Sequence, residues 1–278
     1  MRFVFPILAL AAVLALPQTN SAPELAGIAH VAFRVSDFQK SRDFYRTLGF
    51  EQAFEFGDPG KPPVSYIKIN DRQFIELYGR TDASQPTGLL HLCYEVTDIE
   101  SLWNDYVKRG LNPPPSRKAH AGNLLFVLHA PDGQTLEYTQ YLPGSLHFED
   151  RGMHLGDHAI SKHLVRAIIR ANDLSAEHDF YTSKLGFQDV ATGGVIRMCL
   201  PGNSGDEIEL KSAASSMKPR LVFNVTNLAR AAQELRNRSL TVARGAGSVS
   251  VTDPDGTVIM FTSEKLRSRG NPDGMYRR

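Results

Sequence analysis

The chain has 278 residues, of which 42% are hydrophobic and 22% charged, and its 31 Lys and Arg nearly balance its 30 Asp and Glu. This composition is that of a globular protein, and the length predicts two domains. A net charge of +1 creates no field that would attract a nucleic acid, and two cysteines are too few for a disulfide framework.

The first 22 residues have the parts of a secretory signal peptide. Arg2 precedes an apolar run over residues 3–16, and small and polar residues follow Pro17. The run is shorter than the roughly 20 residues that span a bilayer. We therefore expect a periplasmic or secreted protein whose mature chain has no transmembrane span. Cleavage after Ser21 and retention as an uncleaved anchor both stay open.

After this segment, one pattern of predicted elements recurs along the chain. A strand over residues 30–35 leads to an N-cap at Asp37, an amphipathic helix and a Leu-Gly-Phe stop at 48–50. Residues 166–187 repeat this unit with one additional residue before the stop. The repetition indicates a duplicated fold.

Each half then continues in the same way. An Ile-Glu-Leu strand lies at 75–77 and at 208–210, a second strand and helix begin at His91 and at Arg220, and an Asp-Gly turn precedes each last strand. The sequence therefore predicts an α+β fold of four βαβββ modules in two domains. The predicted segments are a signal peptide (1–22), a first domain (26–142), a linker (143–162), a second domain (163–265) and a flexible tail (266–278).

Four polar side chains fall on otherwise apolar strands of the first domain. They are His30, Glu76, His91 and Glu137, at matched positions of two modules and separated by 46, 15 and 46 residues. Two imidazoles and two carboxylates suit a divalent first-row metal and leave positions for water or a chelating substrate. We predict that one ion binds there, drawn from Ni, Zn, Fe(II), Co and Mn.

The linker histidines do not extend this prediction. His147, His154 and His158 lie within the linker and His163 follows it, at spacings of seven, four and five residues. These spacings provide no defined scaffold for a metal ion. We therefore predict no second metal site in the linker.

The motifs around the four predicted ligands carry a family resemblance. They are VAFRVSD after His30, Phe44-Tyr45 with Leu48-Gly49-Phe50, IEL at 75–77, HLCYEVTD from His91 and APDGQTLEY ending at Tyr138. Together they resemble the vicinal oxygen chelate superfamily, which includes glyoxalase I, bleomycin resistance proteins and extradiol dioxygenases. The resemblance implies half-open barrels around a metal and places the ligands on the same four residues, a set most similar to that of metal-dependent glyoxalase I.

This resemblance implies a reaction. The metal would polarise two neighbouring substrate oxygens while a carboxylate moves a proton from the adjacent carbon. We expect glyoxalase I-like lyase or isomerase chemistry on a small oxygen-chelating substrate, through a metal-bound enediolate, with Glu137 and Glu76 as catalytic bases. Strand alternation adds side chains on the same face. The candidate substrate contacts are Arg34, Tyr78, Cys93 and Thr139, with an Arg34–Glu95 ion pair as the structural alternative.

Two other functions stay open. An extradiol Fe(II) dioxygenase would use two His and one carboxylate, with His120 or His129 as acid or base. The strand over 123–128 lacks the tyrosine expected of a ring-cleaving member. A small-molecule binding or drug-sequestering resistance protein would not need the metal ligands, and a monomer and a homodimer are equally compatible with the sequence.

The second domain departs from the ligand pattern. Its matching residues are Arg166, Glu209, Arg220 and Met260. Because a guanidinium group does not lose its proton to ligate a cation, we predict no metal there and interpret this domain as a structural partner or a lid. An anion site on the two arginines and a salt bridge of either with Glu209 are the alternatives.

Overall fold

We describe a computed structural model of the chain over residues 24–57, 59–213 and 218–264. The predicted signal peptide and the predicted tail lie outside these residues. Within the described part of the chain, no helix combines the length and the apolar character needed to cross a membrane.

The first domain is one eight-stranded sheet with two helices. Its strands are β1 (Leu25–Val35), β2 (Glu51–Phe56), β3 (Val64–Lys68), β4 (Phe74–Gly79), β5 (Gly88–Val96), β6 (Arg117–Lys118), β7 (Leu124–His129) and β8 (Thr135–Gln140). The helices are α1 (Phe38–Thr47) and α2 (Ile99–Lys108). Asp37 and Asp98 are their N-caps and accept hydrogen bonds from backbone amides inside the first turn, which is why each helix begins directly after its aspartate.

The strand order explains how the predicted ligands meet. The order is β2-β3-β4-β1-β5-β8-β7-β6. Each module's first strand is parallel to its own last strand, and the two first strands, β1 and β5, pair antiparallel at the centre. The four strands that carry the predicted ligands are therefore neighbours in the middle of the sheet.

The second domain repeats this arrangement. A short linker helix, α3 (Leu146–Glu149), precedes it. Its strands are β9 (Leu164–Ala171), β10 (Gln188–Asp189), β11 (Ile196–Cys199), β12 (Glu207–Ser212), β13 (Arg220–Asn224), β14 (Ala243–Gly245), β15 (Ser248–Thr252) and β16 (Val258–Thr262). Its helices are α4 (Leu174–Asp179) and α5 (Leu228–Asn237). The order β10-β11-β12-β9-β13-β16-β15-β14 matches the first sheet strand by strand, so the predicted α+β fold of duplicated modules is confirmed.

The additional residue in the second domain has a structural consequence. Helix α4 continues into a π-helical turn over Phe180–Lys184, in which the Leu185 amide donates to the Phe180 carbonyl, five residues back. The wider turn absorbs one residue without shifting the flanking strands. Tyr181 and Phe187 consequently keep buried positions equivalent to those of Tyr45 and Phe50.

The two domains are joined by contacts that follow the internal repeat. The Gln73 side chain donates to the Leu164 carbonyl at 2.8 Å and accepts from the Leu164 amide at 2.9 Å. At the equivalent position, the Asp206 carboxylate accepts from the Ile28 amide at 2.8 Å. Gln73 and Asp206 each precede the matching strand of their sheet, so each domain caps the first strand of the other.

The aromatic contacts between the domains lie on one face of the first sheet. Tyr94 and Phe187 pack with ring centroids 5.6 Å apart, and Phe50 and Phe223 with centroids 5.5 Å apart, within one core that extends through both domains. Because side chains alternate along β5, Tyr94 faces away from His91. The second domain therefore packs on the face opposite the predicted ligands, and the interpretation of it as a lid is wrong.

Candidate metal centre

The sheet register arranges the predicted ligands in two adjacent rows. In the first row, Ala32 of β1 pairs with Glu76 on one side and His91 on the other. Glu76 and His91 therefore lie on one face, two strands apart, with only a methyl group between them. This small spacer leaves room for a side chain from the neighbouring row to reach between them.

The second row supplies the other two predicted ligands. His30 pairs with Cys93 of β5, and Cys93 pairs with Glu137 of β8. His30 lies two residues before the spacer of the first row and on the same face. The ligands are thus staggered along four strands, and we name the face that carries them the ligand face.

Three of the side chains meet closely. The Nε2 atoms of His30 and His91 are 2.9 Å apart, and Glu76 Oε2 lies 3.3 Å from the first and 3.0 Å from the second. His30 is 1% exposed and Glu76 2%. Glu76 Oε2 has no hydrogen-bond partner. Three convergent donor atoms, two of them on buried side chains and one without a hydrogen bond, fit a divalent cation.

The carboxylate of Glu76 is held by two tyrosines. Tyr66 and Tyr78 donate to its Oε1 atom at 2.5 and 2.8 Å. Burial would raise the pKa of the Glu76 carboxyl, but the adjacent His30 and His91 imidazoles hold it well below its usual range. Glu76 therefore stays ionised with one oxygen fixed by hydrogen bonds and the other facing the histidines, which is the arrangement of a ligand.

Glu137 is more exposed than Glu76 and has fewer contacts. Its Oε1 atom lies 3.6 Å from His30 Nε2 and accepts a hydrogen bond from Cys93 Sγ at 3.3 Å. Its side chain is 12% exposed, against 2% for Glu76. His30, Cys93 and Glu137 form a second group whose donor atoms all lie within 4.8 Å of one another. The two glutamates, equivalent in the repeat, therefore differ in burial and in their partners.

Tyr66 was not among the predicted site residues. It lies on β3 and pairs with Glu76 across the β3–β4 hairpin. The signal in the sequence is the short turn at 70–73, which joins β3 to β4 and fixes the register of the hairpin. Strand alternation along β1, β4, β5 and β8 does not reach Tyr66, because β3 carries no predicted ligand.

The linker contributes a histidine to the ligand face. His147 of α3 is 1% exposed, stacks on Tyr141 with centroids 4.4 Å apart and lies parallel to His30 with centroids 6.5 Å apart. Neither of its ring nitrogens has a hydrogen-bond partner, and burial lowers its pKa to about 3. The other aromatic rings that enclose it belong to Phe54, Tyr66 and Phe74.

A buried lysine holds the linker in place next to α3 through an ion pair. Lys68 Nζ, on a fully buried side chain, donates to the Asp150 carboxylate at 2.7 Å, and it also lies 3.0 Å from Asp71. His154 contacts the same Asp150 carboxylate, and His163 contacts Asp206 instead. The linker histidines thus have separate environments, and only His147 reaches the ligand face.

The predicted substrate contacts have different environments. Tyr78 donates a hydrogen bond to Glu76. Cys93 is fully buried and donates a hydrogen bond to Glu137. Arg34 is half-buried and donates to the Pro86 carbonyl at 3.4 Å. Thr139 is also fully buried, with its hydroxyl engaged by the Asn123 amide and the Leu124 carbonyl. The alternative Arg34–Glu95 pair is wrong, because Glu95 pairs with Arg72 at 2.6 Å.

The residues considered as acid or base for a dioxygenase lie further out. His120 is exposed and stacks on Phe56 with centroids 4.5 Å apart. His129 is exposed and lies 3.3 Å from the Thr135 hydroxyl. Neither belongs to the groups whose donor atoms converge.

The equivalent face of the second domain carries ion pairs. Arg166 donates to Glu207 at 2.8 Å and to Glu264 at 2.7 Å, and lies 3.5 Å from Glu209. Arg197 adds a contact to Glu209 at 3.4 Å. The salt-bridge alternative is therefore correct for Arg166. Three carboxylates compensate its charge, which leaves no cationic group of this residue for an anion.

Comparison with known proteins gives a family match for the first domain. The family model for the Glyoxalase/Bleomycin resistance protein/Dioxygenase superfamily matches residues 27–138, which contain all four predicted ligands. No curated protein sequence matches the chain.

Solved structures share the two-domain fold. The Mn(II)-bound glyoxalase from Novosphingobium aromaticivorans is 14% identical, with a TM-score of 0.67 over 88% of this chain and 84% of its own. The 2,3-dioxygenase LapB from Pseudomonas sp. KL28 is 15% identical, with a TM-score of 0.65 over 86% of this chain and 92% of its own. Homoprotocatechuate 2,3-dioxygenase from Arthrobacter globiformis is 15% identical, with a TM-score of 0.65 over 92% and 84%. At these identities the likeness establishes the fold, and the match to the Glyoxalase/Bleomycin resistance protein/Dioxygenase superfamily applies to residues 27–138, the first domain.

Proposed function

We propose that this protein is a divalent-metal-dependent enzyme that isomerises a small substrate bearing two neighbouring oxygens. The observation that carries the proposal is the difference between Glu76 and Glu137. The first is buried, ionised and fixed by two tyrosines. Glu137 also lies beside His30, but it is partly exposed, and among the described residues its one hydrogen bond comes from the Cys93 thiol. One glutamate is therefore suited to ligation and the other to proton transfer.

The residues that would hold the ion are His30, Glu76 and His91. Their donor atoms lie within 4.8 Å of one another, and two imidazoles with one carboxylate leave positions for substrate oxygens. When bound, the ion supplies Lewis acidity, which lowers the pKa of a carbon acid adjacent to a chelated carbonyl. The tyrosines keep the Glu76 carboxylate oriented so that it does not turn away from the histidines.

Glu137 would move the proton. A carboxylate can take a proton from one carbon and return it to the neighbouring one if it stays within hydrogen-bond reach of both. The position of Glu137 beside His30, with its other partner only a thiol, leaves its carboxylate available for this exchange. The enclosing aromatic side chains, including Tyr66 and Tyr78, exclude water from the side of Glu76.

Extradiol cleavage by an Fe(II) dioxygenase is the second candidate. The group of His30, Glu76 and His91 has the composition of the facial triad of such enzymes. This reaction would need an acid or base near the substrate, and the histidines considered for it lie outside the convergent groups. The isomerase proposal uses Glu137 for that purpose and therefore needs no additional residue.

The signal peptide and compartment complete the proposal. Residues 1–22 would direct the chain to the periplasm or the medium, where the mature protein would act. Each predicted ligand comes from the first domain, so the centre does not require residues of a second subunit. N-terminal sequencing of protein from a periplasmic extract tests this part, and an intact Met1 in protein confined to the cytosol contradicts it.

Metal analysis of three purified proteins tests the enzyme proposal. We expect one transition-metal ion per wild-type chain after reconstitution, none in His91→Ala, and an unchanged content in Arg220→Ala, the matched change in the second domain. A wild-type protein without metal would overturn the proposal.

Two assays of the loaded protein then separate the reactions. Isomerisation of the hemithioacetal of methylglyoxal supports the isomerase, and oxygen consumption with catechols supports the dioxygenase instead. A loaded protein that retains a small molecule through purification and is silent in both assays indicates a binding protein.

A further inference from the structure

Cys93 lies among the predicted ligands although the proposed reaction does not use it. Its side chain is fully buried, and its Sγ atom is 3.3 Å from Glu137 Oε1. With a ring nitrogen of His30 it completes a second group of convergent donors. The ligand face therefore presents two overlapping sets of donors that share His30, and only one of them contains sulfur.

The internal repeat shows that the fold does not require a thiol here. Cys93 lies two residues after His91, as Ala32 lies two residues after His30, and each is the spacer between two ligands of its row. The same positions of the second domain are Ile168 and Val222, both buried. Three of the four equivalent spacers are aliphatic, so an apolar side chain satisfies the packing at this position.

We infer that Cys93 is an additional metal ligand for thiophilic divalent ions, bound to the same ion as His30, the residue that both groups share. The inference rests on the proposed metal centre and specifies which ions it prefers. When such an ion binds, the thiol would release its proton to solvent, and the hydrogen bond from Sγ to Glu137 would be replaced by a bond from the sulfur to the ion. No oxidant or reductant is involved.

The consequence concerns metal preference. Hard ions such as Mn(II) favour carboxylate and imidazole donors, whereas Zn(II), Co(II) and Cd(II) gain from a thiolate. A site made only of His30, Glu76, His91 and Glu137 has no sulfur with which to make this distinction. With Cys93 as an additional donor, the centre binds thiophilic ions more tightly than its nitrogen and oxygen ligands alone would.

Spectra of the cobalt-substituted protein test the inference. Wild-type protein titrated with Co(II) should show visible ligand-field bands together with an intense near-ultraviolet band from thiolate-to-Co(II) charge transfer. Cys93→Ala should keep the visible bands and lose the near-ultraviolet band. Cys93→Ser, which retains a hydroxyl donor for Glu137, should also lose it, and Cys199→Ser, which changes the other cysteine of the chain, should keep it.

Affinities provide a second measurement. We expect Cys93→Ala to weaken Cd(II) binding about 10- to 100-fold, since even partners outside the ligand sphere contribute that much, and to leave Mn(II) binding unchanged. Equal losses for both ions, or a charge-transfer band that persists in Cys93→Ala, would overturn the inference.

The experiment also separates this inference from the proposed function. Wild-type protein that binds Co(II) with visible bands but without a charge-transfer band overturns the role of Cys93 and leaves the metal-dependent enzyme intact. Wild-type protein that binds no Co(II), Cd(II) or Mn(II) overturns both.

Discussion

The two domains share a sheet order and differ in how they neutralise one glutamate. Glu76 and Glu209 occupy equivalent positions on β4 and β12. Every partner of Glu76 has a cationic counterpart in the second domain: Arg166 replaces His30, Arg220 replaces His91, Arg197 replaces Tyr66 and Lys211 replaces Tyr78. Three of these four cations lie within 3.5 Å of a Glu209 oxygen.

This difference explains why only one face suits a cation. On the equivalent face of the second domain, three cations form ion pairs with three carboxylates. The cations are Arg166, Arg197 and Lys211, and the carboxylates are Glu207, Glu209 and Glu264. On the first face, Glu76 and Glu137 meet imidazoles, tyrosines and a thiol, none of which carries a permanent positive charge. Buried carboxylates need a compensating charge. The first domain can obtain it from a divalent ion, whereas the second domain contains it already.

The largest effect is expected when the first domain is given the residue of the second. His30→Arg replaces a ligand with a group that does not bind metals, and its guanidinium can pair with Glu76 as Arg166 pairs with Glu209. Metal content and activity should both fall to background while the fold is retained, as checked by elemental analysis and circular dichroism.

The reciprocal change is the control. Arg166→His should leave the metal content at one ion per chain, because Arg220 and Met260 still occupy two ligand positions of the second face. Normal metal binding by His30→Arg would contradict the explanation that an arginine at this position prevents metal binding.

Glu137→Gln should separate proton transfer from ligation. Glutamine keeps the shape of the side chain but has no basic carboxylate, so kcat should fall roughly 10²- to 10⁴-fold. His30, Glu76 and His91 should still hold the ion, so the metal content should not change. Steady-state kinetics and elemental analysis on the same sample measure both quantities.

Met260→Gln, at the matched position of the second domain, should leave kcat unchanged. If Glu137→Gln loses its metal in parallel with its activity, Glu137 binds the ion. The assignment of ligation to Glu76 and of proton transfer to Glu137 is then wrong.

Arg166→Met should destabilise the protein through the second domain. Removing this buried cation takes away the nearest partner of Glu207 and one of the three cations around Glu209, which costs about 3–5 kcal/mol in the free energy of unfolding. Denaturant unfolding of metal-free protein measures this loss. Arg170→Met, an exposed arginine on the same strand, should change stability by less than about 0.5 kcal/mol. A similarly small loss for Arg166→Met would show that the ion pairs do not hold this domain together.

The internal repeat makes most of this comparison predictable from the sequence. Because each module places its ligand strand at the same register, the spacing of the motifs aligns His30, Glu76, His91 and Glu137 with Arg166, Glu209, Arg220 and Met260. The π-helical turn corresponds to the additional residue before Phe187. Tyr66 and Arg197 required the pairing of adjacent strands in addition to the repeat.

What lies outside the repeat could not be predicted in the same way. His147 comes from the linker, and its place depends on the Lys68–Asp150 ion pair, a contact between residues 82 positions apart. No periodicity connects these residues. The spacing of the linker histidines therefore gave no indication that one of them enters the ligand face.

The smallest effect is expected at His147, and its sign is informative. Both ring nitrogens are buried without a partner, which costs about 1–3 kcal/mol relative to an apolar ring of similar shape. His147→Phe should therefore leave the free energy of unfolding unchanged or raise it by up to that amount, whereas His147→Ala should lower it by about 2–5 kcal/mol because a cavity opens among the surrounding rings. Thermal and denaturant unfolding of metal-free protein compare the variants. If His147→Phe is as unstable as His147→Ala, a ring nitrogen has a partner that stabilises it. The first domain would then differ from the second by a polar contact from the linker as well as by its metal ligands.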